Sequence, residues 1–222
     1  ILHDRTLTTE NRRKLIQVGN LGENQISFHD MSEYDFSDFE KTVRFYTIGS
    51  LFRTLIPEVM EELDKVLYLD ADIYVNSDIK ELWKINVEDH YLAAVADEGI
   101  SNGTMLSVAV TSGEALAERY FNSGVLLMNL RMIRRKGCMY QKIFEYIRRV
   151  PETNLPDQDA LNVVYGDKVL LLDKRWNYFA LTAHRRGEKA LINGIYHYAG
   201  CYCELYSLAE YDLQYYETLC RT

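Results

Sequence analysis

The chain has 222 residues, 47% of them apolar and 26% charged, with a formal net charge of -8. That length suits one α/β domain with its own core and leaves little room for a second. The acidic balance argues against a general nucleic-acid binder, because neutralising phosphates takes an excess of Lys and Arg, and no apolar run approaches the roughly 20 residues of a membrane span.

Ile1 to His3 reads as the tail of a strand, which implies missing residues upstream. Thr8 can cap a helix running to about Val18 with Gly19 as its stop, and Ile26 and Phe28 alternate with polar residues in a strand ending near His29. Helices are expected over Asp38 to Tyr46 and Ser50 to Met60, the second kinked or shortened by Pro57. Leu63 to Leu69 is a buried strand and Asp78 to Lys84 a helical turn. Two more strands cover Tyr91 to Ala96 and Val125 to Leu130. Helical spacing runs through Arg131 to Arg149, and PDQDALNVVYG opens a further helix with Asp157 near its N-terminus, where carboxylates are favoured. Lys168 to Leu172 and Gly194 to Tyr198 are short strands, and Glu204 to Cys220 is a tyrosine-rich helix. Strands alternating with helices indicate an α/β fold with a largely parallel sheet. The four cysteines, Cys138, Cys201, Cys203 and Cys220, follow no standard zinc spacing and read as free thiols of a reducing compartment.

The stretch KVLYLDADIYVNSD carries the chemistry. Side chains at i and i+2 of an extended segment point the same way, so Asp70 and Asp72 aim together just past the end of a buried strand, where open α/β sheets place ligands. Two close carboxylates repel unless a cation or a proton lies between them. A hard divalent cation with oxygen ligands fits and would leave positions open for a phosphate-bearing substrate. The alternatives are a turn in which both carboxylates bond backbone N–H groups, and a haloacid-dehalogenase phosphatase motif, which wants Thr or Val where Tyr74 stands. An EF-hand loop fails because Val75 occupies the position of its obligatory Gly.

LFRTLIPEVMEELDKVLYLDADIYVNSDIKELW, YFNSGVLLMNLRMIRR, PDQDALNVVYGDKVLLLDKRWNY and YHYAG follow one another in this order. From Ser50 to Gly200 the chain resembles glycosyltransferase family 8, retaining nucleotide-sugar transferases that include bacterial lipopolysaccharide galactosyl- and glucosyltransferases. The resemblance implies a GT-A fold: a single Rossmann-like domain over residues 1–222, with a mixed, mostly parallel central sheet flanked by helices, here without its first strand and some loop residues. It implies that Asp70, Asp72 and His197 hold Mn2+ (or Mg2+), and that Arg53, Asp70, Ala71, Asp72, Asp97 and Gly200 bind the nucleotide sugar. Asn122, Asp157 and Gln158 then correspond to the catalytic residues at the reacting sugar. Taken singly, Arg53 reads as a helix-surface charge, Asn122 as a turn residue, Asp157 as a helix cap and His197 as a packed or surface histidine.

By resemblance the activity is metal-dependent transfer of a hexose, glucose or galactose, from a UDP-sugar to a carbohydrate, lipid-linked glycan or lipopolysaccharide-type acceptor. The setting would be cytoplasmic, peripheral at the inner face of the membrane, with no nucleic-acid partner. The rival readings are a haloacid-dehalogenase-like phosphatase and a degenerate nucleotide- or glycan-binding protein without turnover. In the family, H-x-x-G leads into a Lys-Pro-Trp segment whose lysine touches the diphosphate. Here Gly200 runs into Cys201-Tyr202-Cys203, so residues are expected to be missing there, with Arg185, Arg186 or Lys189 as the alternative source of charge.

Overall fold

The computed structural model describes residues 1–20, 24–39, 47–188 and 193–199. In chain order its strands are β1 Leu2–His3, β2 His29–Asp30, β3 Lys65–Leu69, β4 Ile73–Asn76, β5 Leu92–Val95, β6 Val125–Asn129, β7 Val169–Leu172, β8 Tyr178–Phe179 and β9 Gly194–His197. A four-stranded sheet has the order β3-β6-β5-β7, a three-stranded one the order β4-β9-β8, and β1 pairs with β2.

The buried runs of β5 and β6 form the centre of the molecule. Side chains alternate across them: Leu126 and Met128 face a core built with Ile143, Phe144 and Leu161, while Val125 meets Leu82, Trp176 and Ile195 on the opposite face. Both faces are covered, which is why these strands read as continuous apolar runs.

The sheet is mixed, as expected, but its parallel share is smaller than the alternation implied. β6 runs antiparallel to both β3 and β5, and the parallel pairing in this sheet is β5 with β7. The link from β5 to β6 carries two four-residue helices, Glu98–Ser101 and Val108–Thr111. It contains no crossover to the far end of the sheet, such as a parallel neighbour requires. Instead the chain returns beside its exit point: the Asp97 amide donates to the Tyr120 carbonyl at 2.9 Å and the Asn122 amide to the Val95 carbonyl at 2.9 Å. That return sets Asp97 and Asn122 next to each other.

β4 was not foreseen. It pairs antiparallel with β9 in the register Ile73↔His197. The turn Asp70-Ala71-Asp72 therefore carries the chain from one sheet to the other. The Asp70 amide still donates to the Gly124 carbonyl at 2.9 Å, whereas the Asp72 carbonyl accepts from the Tyr198 amide at 3.0 Å.

Several helices depart from the expected spans for identifiable reasons. Thr8 caps Thr9–Gly19 as read, its hydroxyl accepting from the Asn11 amide at 3.1 Å. The Ser50 to Met60 helix is a 3-10 stretch, Ile48–Leu55, followed by one α-turn, Ile56–Val59, with Pro57 in its first positions, where a missing N–H is tolerated. The single helix expected over Arg131 to Arg149 is two, Leu130–Lys136 and Met139–Arg149. Gly137 divides them at φ 113°, a conformation reserved for glycine. The strand expected to end near His29 instead begins there, because the ladder starts opposite Leu2. Residues 40–46 of the helix expected over Asp38 to Tyr46, and all of the Glu204 to Cys220 helix, lie outside the described residues. Cys138 is a free thiol; Cys201, Cys203 and Cys220 also lie outside the described residues.

Candidate functional site

At the seam between the two sheets, Asp70, Asp72 and His197 offer ligand atoms all within 4.8 Å of one another. His197 Nε2 stands 3.3 Å from Asp72 Oδ1 and 3.8 Å from Asp70 Oδ2. His197 Nδ1 is 2.9 Å from Asn177 Oδ1, and the ring stacks on Phe179 with centroids 5.6 Å apart. Gly124 makes this approach possible. A Cβ there would lie against the His197 ring and 2.9 Å from Asp70 Oδ2, closer than ordinary contact allows. Two carboxylates and an imidazole nitrogen facing one another are a donor set suited to a divalent cation such as manganese, so the residues fit the metal that the sequence implied.

Beside them sits Arg53, buried and donating in three directions. Its Nε reaches the Ser50 carbonyl at 2.7 Å, Nη1 the Ser123 carbonyl and Nη2 Asp70 Oδ1 at 2.8 Å. Arg53 Nε also lies 3.5 Å from Asp157 Oδ2, and its guanidinium stacks over the Tyr68 ring at 4.6 Å. Burial opposes its charge, but the carboxylates of Asp70, Asp157 and Asp72 outweigh burial and hold the guanidinium above its ordinary range. Burial likewise pushes the Tyr68 phenol up, beyond any physiological ionisation, leaving its hydroxyl as a donor to Asp70 Oδ1 at 2.6 Å. Arg53 is thus no surface charge; it ties the first aspartate to Asp157.

Asp157 lies in the first turn of Pro156–Tyr165, but the N-cap is Leu155 and no side chain caps the helix. The capping reading of Asp157 therefore does not hold. Its carboxylate instead accepts from the Ser123 hydroxyl at 3.3 Å. Burial raises its pKa above the usual carboxylate range, Arg53 pulls the other way and Asp70 adds to the rise.

Gln158 is held at both ends of its amide. Its oxygen accepts from Asn122 Nδ2 at 2.9 Å and from the Ser123 amide at 3.0 Å, and its nitrogen donates to Asp97 Oδ2 at 3.1 Å. Asp97 Oδ1 caps the Glu98–Ser101 helix through the Ile100 amide at 3.1 Å. Asn122 Oδ1 accepts from the Gly124 amide at 2.9 Å and from Asn177 Nδ2 at 2.8 Å. The next residue, Asp159, is fully enclosed and accepts from the hydroxyls of Ser107, Tyr120 and Thr153.

One continuous network thus joins Asp70, Asp72, His197, Arg53, Asp97, Asn122, Asp157 and Gln158. Ala71 is exposed at the turn between the aspartates, and Gly200 lies outside the described residues. Arg186 is engaged by Glu98 at 2.7 Å. Asn177, Ser123, Gly124 and Tyr68 belong to the network and were not singled out by the sequence.

Comparison with known proteins bears on the family and the fold. The profile of Glycosyl transferase family 8 matches residues 1–202. The lipopolysaccharide 1,3-galactosyltransferase of Salmonella typhimurium is 34% identical over 139 residues, 60% of this chain and 40% of its own. General stress protein A of Bacillus subtilis is 30% identical over 152 residues, 65% of this chain and 51% of its own. The chain thus spans about half, or less, of these relatives. Among solved structures, galactosyltransferase LgtC, crystallised with donor and acceptor sugar analogs, superposes with a TM-score of 0.78 at 24% identity, over 96% of this chain and 80% of that one. This likeness shows the GT-A fold, a mixed sheet flanked by helices. Among the described residues no helix is long and apolar enough to cross a membrane. The chain belongs to glycosyl transferase family 8.

Proposed function

We propose that this chain carries the donor-sugar site of a retaining glycosyltransferase that moves a hexose from a UDP-sugar to a glycan or lipid-linked glycan acceptor. The observation that carries the reading is the single network in which the Asp70-Asp72-His197 cluster and the Asp97-Asn122-Asp157-Gln158 cluster share Arg53 and Gly124. The glucosyl- and galactosyltransferases among the relatives favour glucose or galactose as the sugar.

In this reading Asp70, Asp72 and His197 hold a divalent cation, manganese or magnesium, which when bound offsets the charge of the departing diphosphate. Arg53 fixes Asp70 and presents its charge beside the sugar. Asp157, an anion kept from water, faces the positive character that develops at the anomeric carbon, where a fixed charge in a dry site acts strongly. Gln158 and Asn122 orient that carboxylate's surroundings and, with Asp97, the sugar hydroxyls. A phosphatase of the haloacid-dehalogenase type would need a free nucleophilic aspartate after its strand. Asp70 meets Arg53 and Tyr68 through Oδ1 alone, so what tells against the phosphatase is Tyr74, which stands where that motif wants Thr or Val.

The test is turnover of a panel of UDP-sugars with and without Mn2+. UDP release with one hexose donor, dependent on the metal and abolished in Asp72→Asn, is the expected result. Phosphate release from simple phosphoesters would turn the reading to the phosphatase, and UDP binding without turnover to a binding protein.

A further inference from the structure

Asn177 sits in the 3-10 turn Lys174–Asn177, 1% exposed, with both ends of its amide engaged. Its orientation can be worked out from groups whose roles are fixed. The Gly124 backbone N–H can only donate, so the Asn122 atom it meets is the oxygen. That oxygen also faces Asn177, so the Asn177 atom there is the NH2 group. The other end of Asn177 is then the carbonyl oxygen, and the His197 nitrogen 2.9 Å away must donate to it. The same logic closes on the far side. The Ser123 backbone N–H fixes the Gln158 oxygen, and the Asp97 carboxylate receives the Gln158 NH2.

We infer that Asn177 is a positioning residue that keeps the hydrogen of His197 on Nδ1. The Nε2 lone pair is thereby turned to Asp70 and Asp72, and the same amide locks His197 to Asn122 on the sugar side. A metal-ligating imidazole is oriented by whatever accepts its other N–H, and loss of that partner typically costs 10–100-fold in metal affinity. Here the partner is an amide with a second bond to spend, so one residue sets the metal ligand and the sugar-side asparagine together. The inference rests on the reading of Asp70, Asp72 and His197 as cation ligands.

Two substitutions separate the arms. Asn177→Leu removes the acceptor for His197 and the donor to Asn122. Asn177→Asp keeps an acceptor for His197 but sets an anion against the Asn122 oxygen. Titration of the protein with Mn2+ alone, without donor, should show affinity weakened about 10–100-fold in Asn177→Leu and held within about threefold in Asn177→Asp. Asn177→Asp should nonetheless lower kcat for transfer about tenfold or more, with the donor KM little changed. Unchanged Mn2+ affinity in Asn177→Leu, or equal loss in both variants, would overturn the inference. Nitrogen NMR of His197 in the metal-free wild-type protein, at a pH where the ring is neutral, decides the matter even if Asn177→Leu does not fold. A hydrogen on Nδ1 supports the inference and one on Nε2 refutes it. Failure of the wild-type protein to bind Mn2+ would instead remove the metal reading, and the NMR result would still settle what Asn177 does.

Discussion

Replacing Asp157 with Asn keeps the shape of the side chain and removes its charge, so it separates what the carboxylate does for the fold from what it does for the reaction. With Asp157 Oδ2 3.5 Å from Arg53 Nε, an effective dielectric of 20 gives a gross attraction of about 5 kcal/mol. The effective desolvation penalty of a buried carboxylate is several kcal/mol and opposes it. Arg53 also keeps Asp70 as a partner at 2.8 Å. The two large terms nearly cancel, and Asp157→Asn should change stability by no more than about 1 kcal/mol, roughly 2–4 °C in Tm for a chain of this size. Burial is the leading cause of the Asp157 shift and raises its pKa, with Arg53 opposing and Asp70 reinforcing. A raised folded-state pKa means that the native state binds the proton more tightly than the unfolded chain. The charge therefore costs the fold nothing below the unfolded carboxyl pKa of about 3.9, and the cost grows as pH rises through the folded pKa. The Tm of Asp157→Asn relative to wild type should accordingly improve from about pH 4 upward. Transfer should fall about 100-fold or more, equivalent to about 2.7 kcal/mol of transition-state stabilisation. The assays are thermal unfolding across pH and initial rates of UDP release. A near-normal rate, or a relative Tm that worsens as pH rises, would refute the reasoning.

Gly124→Ala should lower Mn2+ affinity and Tm together, because the new methyl presses on the His197 ring and Asp70 Oδ2, and overpacking of this kind costs about 1–3 kcal/mol; calorimetric titration and thermal unfolding check it. Asp159→Ala should destabilise by at least about 3 kcal/mol, read by denaturant unfolding, because it strands the buried hydroxyls of Ser107, Tyr120 and Thr153. Gly137→Ala, at φ 113°, should cost about 1–3 kcal/mol by the same measurement and leave the KM for donor unchanged.

The parts of the site legible in the sequence were those marked by contrast with their surroundings. The run from Val66 to Leu69 reads as a buried strand, and two aspartates directly after it stand out because buried carboxylates demand partners; the strand forms, but half-buried along its length because it lies at the edge of its sheet. His197 was reached only through the resemblance of YHYAG to the family; taken singly it reads as a packed or surface histidine. Asn177 was missed although it shows a weaker form of the aspartates' signal, a polar residue between Trp176 and Tyr178. Its partners His197 and Asn122 are 20 and 55 positions away, and no local pattern encodes such a pairing. β4 was missed because Ile73 to Asn76 is four residues long and gains its identity from pairing with β9. The break at Gly137 was hidden because the apolar spacing continues in phase across it.

The seam position explains why so many acidic groups can be gathered without unfolding the site. Asp70, Asp72 and Asp157 act on a single guanidinium, that of Arg53, Asp97 joins them through Gln158, and separate backbone elements fix them. Asp70 ends the β3–β6 ladder, Asp72 precedes the β4–β9 ladder, Asp97 opens a helix and Asp157 lies in the first turn of another. Repulsion among them therefore cannot be relieved by one local rearrangement, since moving any of them breaks a separate backbone element. Such a site has an electrostatic deficit that a bound divalent cation reduces. A chain of net charge -8 supplies no diffuse positive field to take its place. Arg186 does not fill the gap, being engaged by Glu98 at 2.7 Å. On the proposed reading, an anionic donor approaching without the cation would meet net negative charge, so the cation is what makes the donor's diphosphate welcome. In that sense the frame that orients His197 toward the two aspartates also controls whether donor can bind.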